Sequence, residues 1–276
     1  MTGEKSQLSL VTFVAHPIDE IKCAGGLFAK YAKRGHKVTN VIFQEHLGRG
    51  ELDPSLSMEE IHKEAERQSR AASAKIGADV ELLKYAPLSM SIVKDEEEVV
   101  RRVADIIRKL KADIVITHLP GDTTYGTMHH DSVNRMVNKA CYYAKNNSIE
   151  TAHEPHAIKL LLYAEMNLWT PEVLTKMPDL FIDISEVAKI KAEAMAEYTI
   201  HVGEPAPDIL HEARMVPNRM AGIVSGCLYA EFFYFPYDRY PYGRRAFDEI
   251  PWDWLFIPKT KGDLGGHERL SLPIDF

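Results

Sequence analysis

The chain has 276 residues, 45% of them hydrophobic and 26% charged, with a formal net charge of -7 from 33 basic and 40 acidic side chains. A chain of this length and composition can bury a core without disulfide or metal scaffolding, so disordered and fibrous classes are excluded. The acidic balance argues against a surface built to collect nucleic-acid phosphates or anionic lipid. Cys23, Cys141 and Cys227 are odd in number and lack CxxC spacing, which suggests neither a disulfide framework nor a thiolate metal site and points to a reducing compartment. The opening MTGEKSQLSLVTFVAHP holds an apolar run too short to span a membrane and no cleavage site, so the chain reads as cytoplasmic and soluble.

Short β-branched runs alternate with longer amphipathic ones from residue 8 to about 165, the pattern of a parallel sheet with crossover helices. Strands are predicted over Leu8 to Ala15, Lys37 to Phe43, Asp79 to Tyr85, Ala112 to His118 and Ile158 to Glu165. Helical spacing of apolar residues predicts helices over Gly25 to Arg34, Met58 to Ile76, Glu96 to Leu110 and Asp131 to Lys145. These make an α/β fold with an open, mainly parallel sheet and helices on both faces. Ser185 reads as the cap of a further helix through SEVAKIKAEAMAEYTIH. One α/β domain is expected over residues 1–233. Residues 234–276, rich in proline and aromatic residues, are expected to wrap that domain or a partner subunit, since such a segment suits neither regular helix nor central strand.

Two stretches carry chemistry. Val14-Ala15-His16-Pro17-Ile18-Asp19-Glu20 follows the first strand, at the sheet's carboxyl edge where open α/β folds bind ligands. His16 and Asp19 can reach one metal ion from that turn, or they can be a strand-end histidine and a helix cap. The loop after the fourth strand brings Asp122, Tyr125, His129 and His130 to the same edge. Neighbours in an extended turn point apart, so one of His129 and His130 is expected to be a ligand and the other to face the substrate. Two histidines and one carboxylate, with a position left for water, suit a catalytic zinc site. Following the second strand, His46 and Arg49, with Glu45, are either candidates for substrate binding, an arginine there acting as a bidentate clamp, or part of a solvated GRGEL loop. Glu165 at the end of the fifth strand either lines the pocket as a third candidate or caps a neighbour. His153 and His156 are read as a surface loop, and Met195, Met215 and Met220 as core packing.

These motifs resemble the LmbE-like (PIG-L) family of zinc-dependent N-deacetylases. The family's opening Ala-His-Pro-Asp-Asp-Glu with a following Gly-Gly is matched by Ala15 to Glu20 with Gly25 and Gly26, except that Ile18 stands where the first Asp belongs. Its His-x-Asp-His motif is matched at His130, followed by Val133 and Arg135, while Thr127 takes the place of the first His and His129 that of the Asp. Phe181 to Ser185 with Lys189 or Lys191, and Arg219, Gly222 and Tyr229 to Phe233, resemble its later motifs. The resemblance covers roughly residues 8 to 233. It implies a Rossmann-like fold and one Zn2+ held by His16, Asp19 and His130, with a water that attacks the carbonyl of an N-acyl group on a small-molecule substrate.

In the family the first Asp of the opening motif is the base, and here Ile18 can do no proton chemistry. Three functions are therefore carried forward. The first is hydrolysis of an amide or related C-N bond, with His129, Tyr125, Glu20 or Asp122 moving the proton. His129 is the best of these, because an ordinary histidine pKa of about 6.5 suits a group that takes and returns a proton near neutrality. The second is water addition of the 4-oxalomesaconate hydratase type, and the third is binding of zinc or a ligand without turnover. Neither nucleic acid nor a membrane span is expected as a partner, and a homo-oligomer through the aromatic C-terminal segment is a further expectation.

Overall fold

The computed structural model describes residues 7–44, 55–85, 95–122, 128–165, 178–199 and 207–236, with side chains from 214 onward in the last stretch. His46, Arg49 and Tyr125, and the C-terminal segment beyond residue 236, lie outside the described residues. The elements in chain order are β1 (Ser9–Val14), α1 (Asp19–Lys33), β2 (Lys37–Gln44), α2 (Met58–Lys75), β3 (Asp79–Tyr85), α3 (Glu96–Leu110), β4 (Ile114–His118), α4 (His129–Ala144), β5 (Leu160–Ala164), β6 (Leu180–Asp183), α5 (Ala188–Met195), α6 (Pro207–Ser225) and β7 (Ala230–Tyr234). Among these residues the strands form one seven-stranded sheet ordered β3-β2-β1-β4-β5-β7-β6. β3, β2, β1, β4 and β5 are parallel, and β7 pairs antiparallel with both β5 and β6.

Local sequence explains the helices that frame the sheet. Ser57 caps α2 with a reciprocal bond to Glu60, and Ile61, Ala65, Gln68, Ser69, Ala72 and Ser73 form its buried stripe. Asp95 caps α3, whose Val99, Val100, Val103, Ala104, Ile106 and Ile107 are buried. One apolar layer lies between the sheet and α1, α2 and α5, built on Leu10, Val14, Leu27, Phe28 and Ile42. The other lies against α3 and α4, around Phe13, Val103, Val133 and Val137. Successive strand residues feed opposite layers, as the pleat requires.

Four differences from the sequence expectation follow from tertiary context. α1 begins at Asp19, six residues before the expected Gly25, because a first turn carrying Asp19 and Glu20 is joined to the main helix across a kink at Ala24 (φ -147°, ψ 16°). Ser185 does not cap a long helix. It opens a single 3-10 turn, its hydroxyl bonding Asp183 at 2.6 Å and accepting from the Tyr229 N–H at 3.1 Å. β6 and β7 are strands that the sequence pattern does not predict, and β7 crosses the expected boundary at residue 234: Tyr234 is fully buried and pairs with Tyr163 in the interior of the sheet. Met195 and Met215 are core residues as expected, whereas Met220 is exposed on α6.

The close contact between α1 and the segment after β6 constrains Gly26. A Cβ there would lie 2.7 Å from Ile184 Cδ1 and 2.9 Å from Ile184 Cβ. Gly26→Ala should therefore destabilise the protein by about 1–3 kcal/mol through overpacking, read as a lowered urea midpoint with unchanged slope.

Candidate active site

β1 and β4 are neighbours although the chain visits β2 and β3 between them, so the crevice beyond their carboxyl ends is the topological switch point of the sheet. His16 and Asp19 follow β1, His118 ends β4, and the first turn of α4 supplies His129 and His130. All five are buried.

The turn between β1 and α1 folds on itself. The His16 N–H donates to Asp19 Oδ2 at 2.9 Å, and Ile18 sits in the left-handed region at φ 81°. A β-branched residue is rare there and costs on the order of 1–3 kcal/mol. The Ile18 side chain is buried in the apolar layer beneath α1, and its carbonyl accepts from the Ile21 and Lys22 N–H groups at 3.1 and 3.0 Å.

Three atoms converge above this turn. His16 Nδ1 lies 3.0 Å from Asp19 Oδ2, His130 Nε2 lies 3.2 Å from His16 Nδ1, and His130 Nε2 lies 3.4 Å from Asp19 Oδ2. Ligands at about 2.0–2.1 Å on tetrahedral corners around zinc are separated by about 3.3–3.4 Å, so this triangle has the size of one face of a zinc tetrahedron. The far nitrogens of both imidazoles are engaged. His16 Nε2 lies 2.9 Å from His129 Nδ1, and His130 Nδ1 lies 2.8 Å from Asp122 Oδ2. With His16 Nε2–H and His130 Nδ1–H as donors, both imidazoles turn a lone pair towards Asp19, the tautomers a metal ligand needs.

The electrostatics favour a cation at this point. Burial opposes charge on His130, yet Asp19 and Asp122 push its pKa up to about 10. Burial would raise Asp19, but His16 and His130 hold its carboxyl well below the usual carboxylate range. A divalent ion meets the same field that here retains a proton.

The other polar groups at this edge have different partners. His118, which the sequence reading did not single out, stacks on the His130 ring with centroids 4.0 Å apart, and its Nε2 accepts the Ala15 N–H at 2.9 Å. Its proton therefore sits on Nδ1, which has no lone pair to offer although His118, Asp122 and His130 also lie close enough to form a second cluster. Burial, then His130, lowers its pKa to about 3, so it is a neutral ring bracing His130. Asp122, considered from sequence as a proton carrier, is the hydrogen-bond partner of His130.

His129 and His130 belong to a helical turn rather than the extended turn expected, so both rings approach His16. His129 does not keep an ordinary pKa. Burial, His16 and His130 lower it to about 4. Its Nδ1 faces His16, and its Nε2 is buried without a partner among the described residues. Glu165 is buried after β5 on the same edge, and its charge acts on Cys23 and Tyr234. Gln44, closing β2, is buried with neither amide atom partnered among the described residues.

Glu20 does not join the histidine cluster by any hydrogen bond among the described residues. It accepts from the Tyr198 hydroxyl, and burial raises its pKa from an ordinary 4.5 to about 8. The folded state therefore retains a proton that the unfolded chain releases above pH 4.5, a contribution fully present below that pH and lost as pH rises through about 8. Glu20→Gln should gain stability relative to the unsubstituted protein as pH rises from 4.5 to 9, by on the order of a few kcal/mol. Metal-free melting temperatures at both ends of the range check this; a pH-independent difference would exclude it.

Comparison with known proteins agrees with this architecture. The PIG-L family description, GlcNAc-PI de-N-acetylase, matches residues 11–141. GalB, the 4-carboxy-2-hydroxymuconate hydratase of Pseudomonas putida KT2440, is similar with a TM-score of 0.70 and 20% identity, covering 84% of this chain and 98% of that one. N,N'-diacetylchitobiose deacetylase from Pyrococcus horikoshii is similar with a TM-score of 0.68 and 19% identity, over 83% of this chain and 84% of that one. The conserved protein TT1542 of Thermus thermophilus gives 0.67 and 21%, over 83% and 95%. The seven-stranded, mostly parallel sheet with its switch-point crevice is thus the LmbE-like deacetylase fold, and residues 11–141 of this chain are a PIG-L (LmbE-like) family domain.

Proposed function

We propose that this protein is a zinc-dependent hydrolase that cleaves an amide (N-acyl) or related C-N bond of a small molecule, with His16, Asp19 and His130 as the metal ligands. The observation that carries the reading is the triangle of His16 Nδ1, Asp19 Oδ2 and His130 Nε2, with edges of 3.0, 3.2 and 3.4 Å, and with the far ring nitrogens placed against His129 and Asp122. Zinc held there would polarise a substrate carbonyl and acidify a water molecule. In the hydrolysis the water oxygen bonds to the carbonyl carbon, the C-N bond breaks, and the leaving nitrogen gains a proton.

The chain's own groups divide that work differently from the resembled deacetylases. When His16 presents Nδ1 to a metal, its Nε2–H donates to His129 Nδ1, so the remaining His129 proton is on Nε2. His129 is then a hydrogen-bond donor to the substrate oxygen where negative charge develops, as a neutral imidazole, rather than a base. Position 18 offers no proton acceptor, so the water's proton passes to the leaving nitrogen, to an acidic group of the substrate, or through Tyr125. His46, Arg49 and Glu165 are proposed to bind the substrate, with Arg49 taking a carboxylate.

A hydratase is the second reading, and Ile18 is the observation that favours it. Addition of water to an unsaturated acid, the chemistry named for GalB, forms a C-O bond from the water oxygen and a C-H bond at the neighbouring carbon, with no leaving amine to protonate, so its proton carrier need not stand at position 18.

Variants separate these readings. His16→Ala and Asp19→Ala should lose most bound zinc, and full occupancy in both by metal analysis would sink the ligand assignment. His129→Ala should keep its zinc and lose about 10² to 10³-fold in turnover, the usual worth of one oxyanion donor. Ile18→Asp should raise hydrolysis of N-acetylated amines, where a general base is worth about 10² to 10⁴-fold. If the native protein and Ile18→Asp are inert on N-acyl amines while the native protein hydrates an unsaturated di- or tricarboxylic acid, the hydratase reading replaces the first.

A further inference from the structure

α1 is two helical pieces joined at Ala24, and the join is buried. The first piece carries Asp19. The second, from Gly25 to Lys33, packs on the sheet. A break of this kind leaves carbonyls at the end of one piece and N–H groups at the start of the next without partners, and in the core no water is at hand to satisfy them.

One pair of side chains from distant elements meets both needs. Glu231 of β7 accepts from the Gly26 N–H at 2.7 Å and the Leu27 N–H at 2.8 Å. Lys191 of α5 donates to Glu231 Oε1 at 2.6 Å and to the Lys22 carbonyl at 2.9 Å. The two residues are 0 and 1% exposed. Gly25 is packed against both Ile21 and Lys191: a Cβ there would lie 2.9 Å from Ile21 Cγ2, a clash, and 3.6 Å from Lys191 Cγ, an ordinary contact.

A buried ion pair gains little net stability over apolar residues of the same volume. Its distinctive property is to fix the ends of two helices relative to one another. The Lys22 carbonyl is three residues beyond Asp19 on the short first piece, so the lysine holds the segment that sets the height of Asp19 Oδ2 against His16 and His130. Metal ligands tolerate displacements of only about 0.2 Å.

We infer that Lys191 and Glu231 are positioning residues for the metal centre, acting through the kink of α1 on Asp19. This rests on the assignment of His16, Asp19 and His130 as ligands. Lys189, the other lysine that sequence resemblance allowed, is exposed and pairs only with Glu193 on its own helix among the described residues.

The test is zinc affinity of the full chain, measured by competition with a chelating dye below the melting transition, alongside melting curves of the metal-free protein. Glu231→Gln and Lys191→Met should each weaken zinc binding about tenfold or more, the range of indirect effects on metal ligands. Arg108→Met is the control. Arg108 is a buried cation of the opposite layer whose guanidinium binds the carbonyls of Tyr143, Ala144 and Asn146, so its loss should lower the melting temperature and leave zinc affinity unchanged.

Either single variant leaves a charge buried alone and risks misfolding. The double variant Lys191→Met with Glu231→Leu carries no buried charge, and it too should lose at least tenfold in affinity. Zinc affinities within twofold of the native protein in the folded variants, or an equal loss in Arg108→Met, would overturn the inference while leaving the ligand assignment intact. Failure of the native chain to bind zinc would overturn that assignment and the inference together.

Discussion

The site depends on a reversal of the backbone in the few residues between β1 and α1. His16 must turn back towards Asp19 so that one carboxylate oxygen accepts the His16 N–H and also meets the His16 ring. The left-handed backbone at Ile18 makes that reversal, and apolar burial of its side chain together with two helical hydrogen bonds to its carbonyl offsets the strain. Asp or Asn tolerates this conformation more easily than a β-branched residue. The turn therefore carries a residue type that its backbone conformation does not favour and that can do no proton chemistry.

Around this turn the polar groups hold one another. Asp122 bonds His130, His129 Nδ1 meets His16 Nε2, and His118 braces His130 by stacking while its own Nε2 holds the backbone of Ala15. His118 is in turn held by α4, since Asn134 donates to its carbonyl and Asn138 links Asn134 to the Tyr163 hydroxyl. Orientation of the imidazoles thus draws on α4 and β5 as well as on the turn itself. The low-dielectric surroundings strengthen each of these bonds and make an unpaired member costly.

The geometry also changes the role open to His129. As a residue with an ordinary pKa it would be a proton carrier. Placed against His16 in a helical first turn, it has its Nδ1 engaged by the His16 ring, and burial with the neighbouring histidines lowers its pKa to about 4, which makes it a poor proton carrier near neutrality. Neither His129, with its pKa lowered to about 4, nor Ile18 is suited to take a proton near neutrality.

Sequence by itself determined the parallel strands, the helices with strong apolar stripes and the edge of the sheet where chemistry would gather. These follow from periods of two and 3.6 residues and from local caps such as Asp95, all of which are written in neighbouring residues. It also brought His16 and Asp19 to one edge with either His129 or His130, and the family resemblance selected His130. Tertiary structure alone decided what depends on residues far apart in the chain. β7 is legible only as the partner of β5 and β6, since AEFFY carries no polar alternation when both faces are buried. The kink in α1 is bonded by Lys191 and Glu231, 169 and 205 residues away from the backbone groups on its two sides. The roles of His118, His129 and Asp122 turn on which ring nitrogen faces which neighbour, and no spacing in a sequence encodes a tautomer.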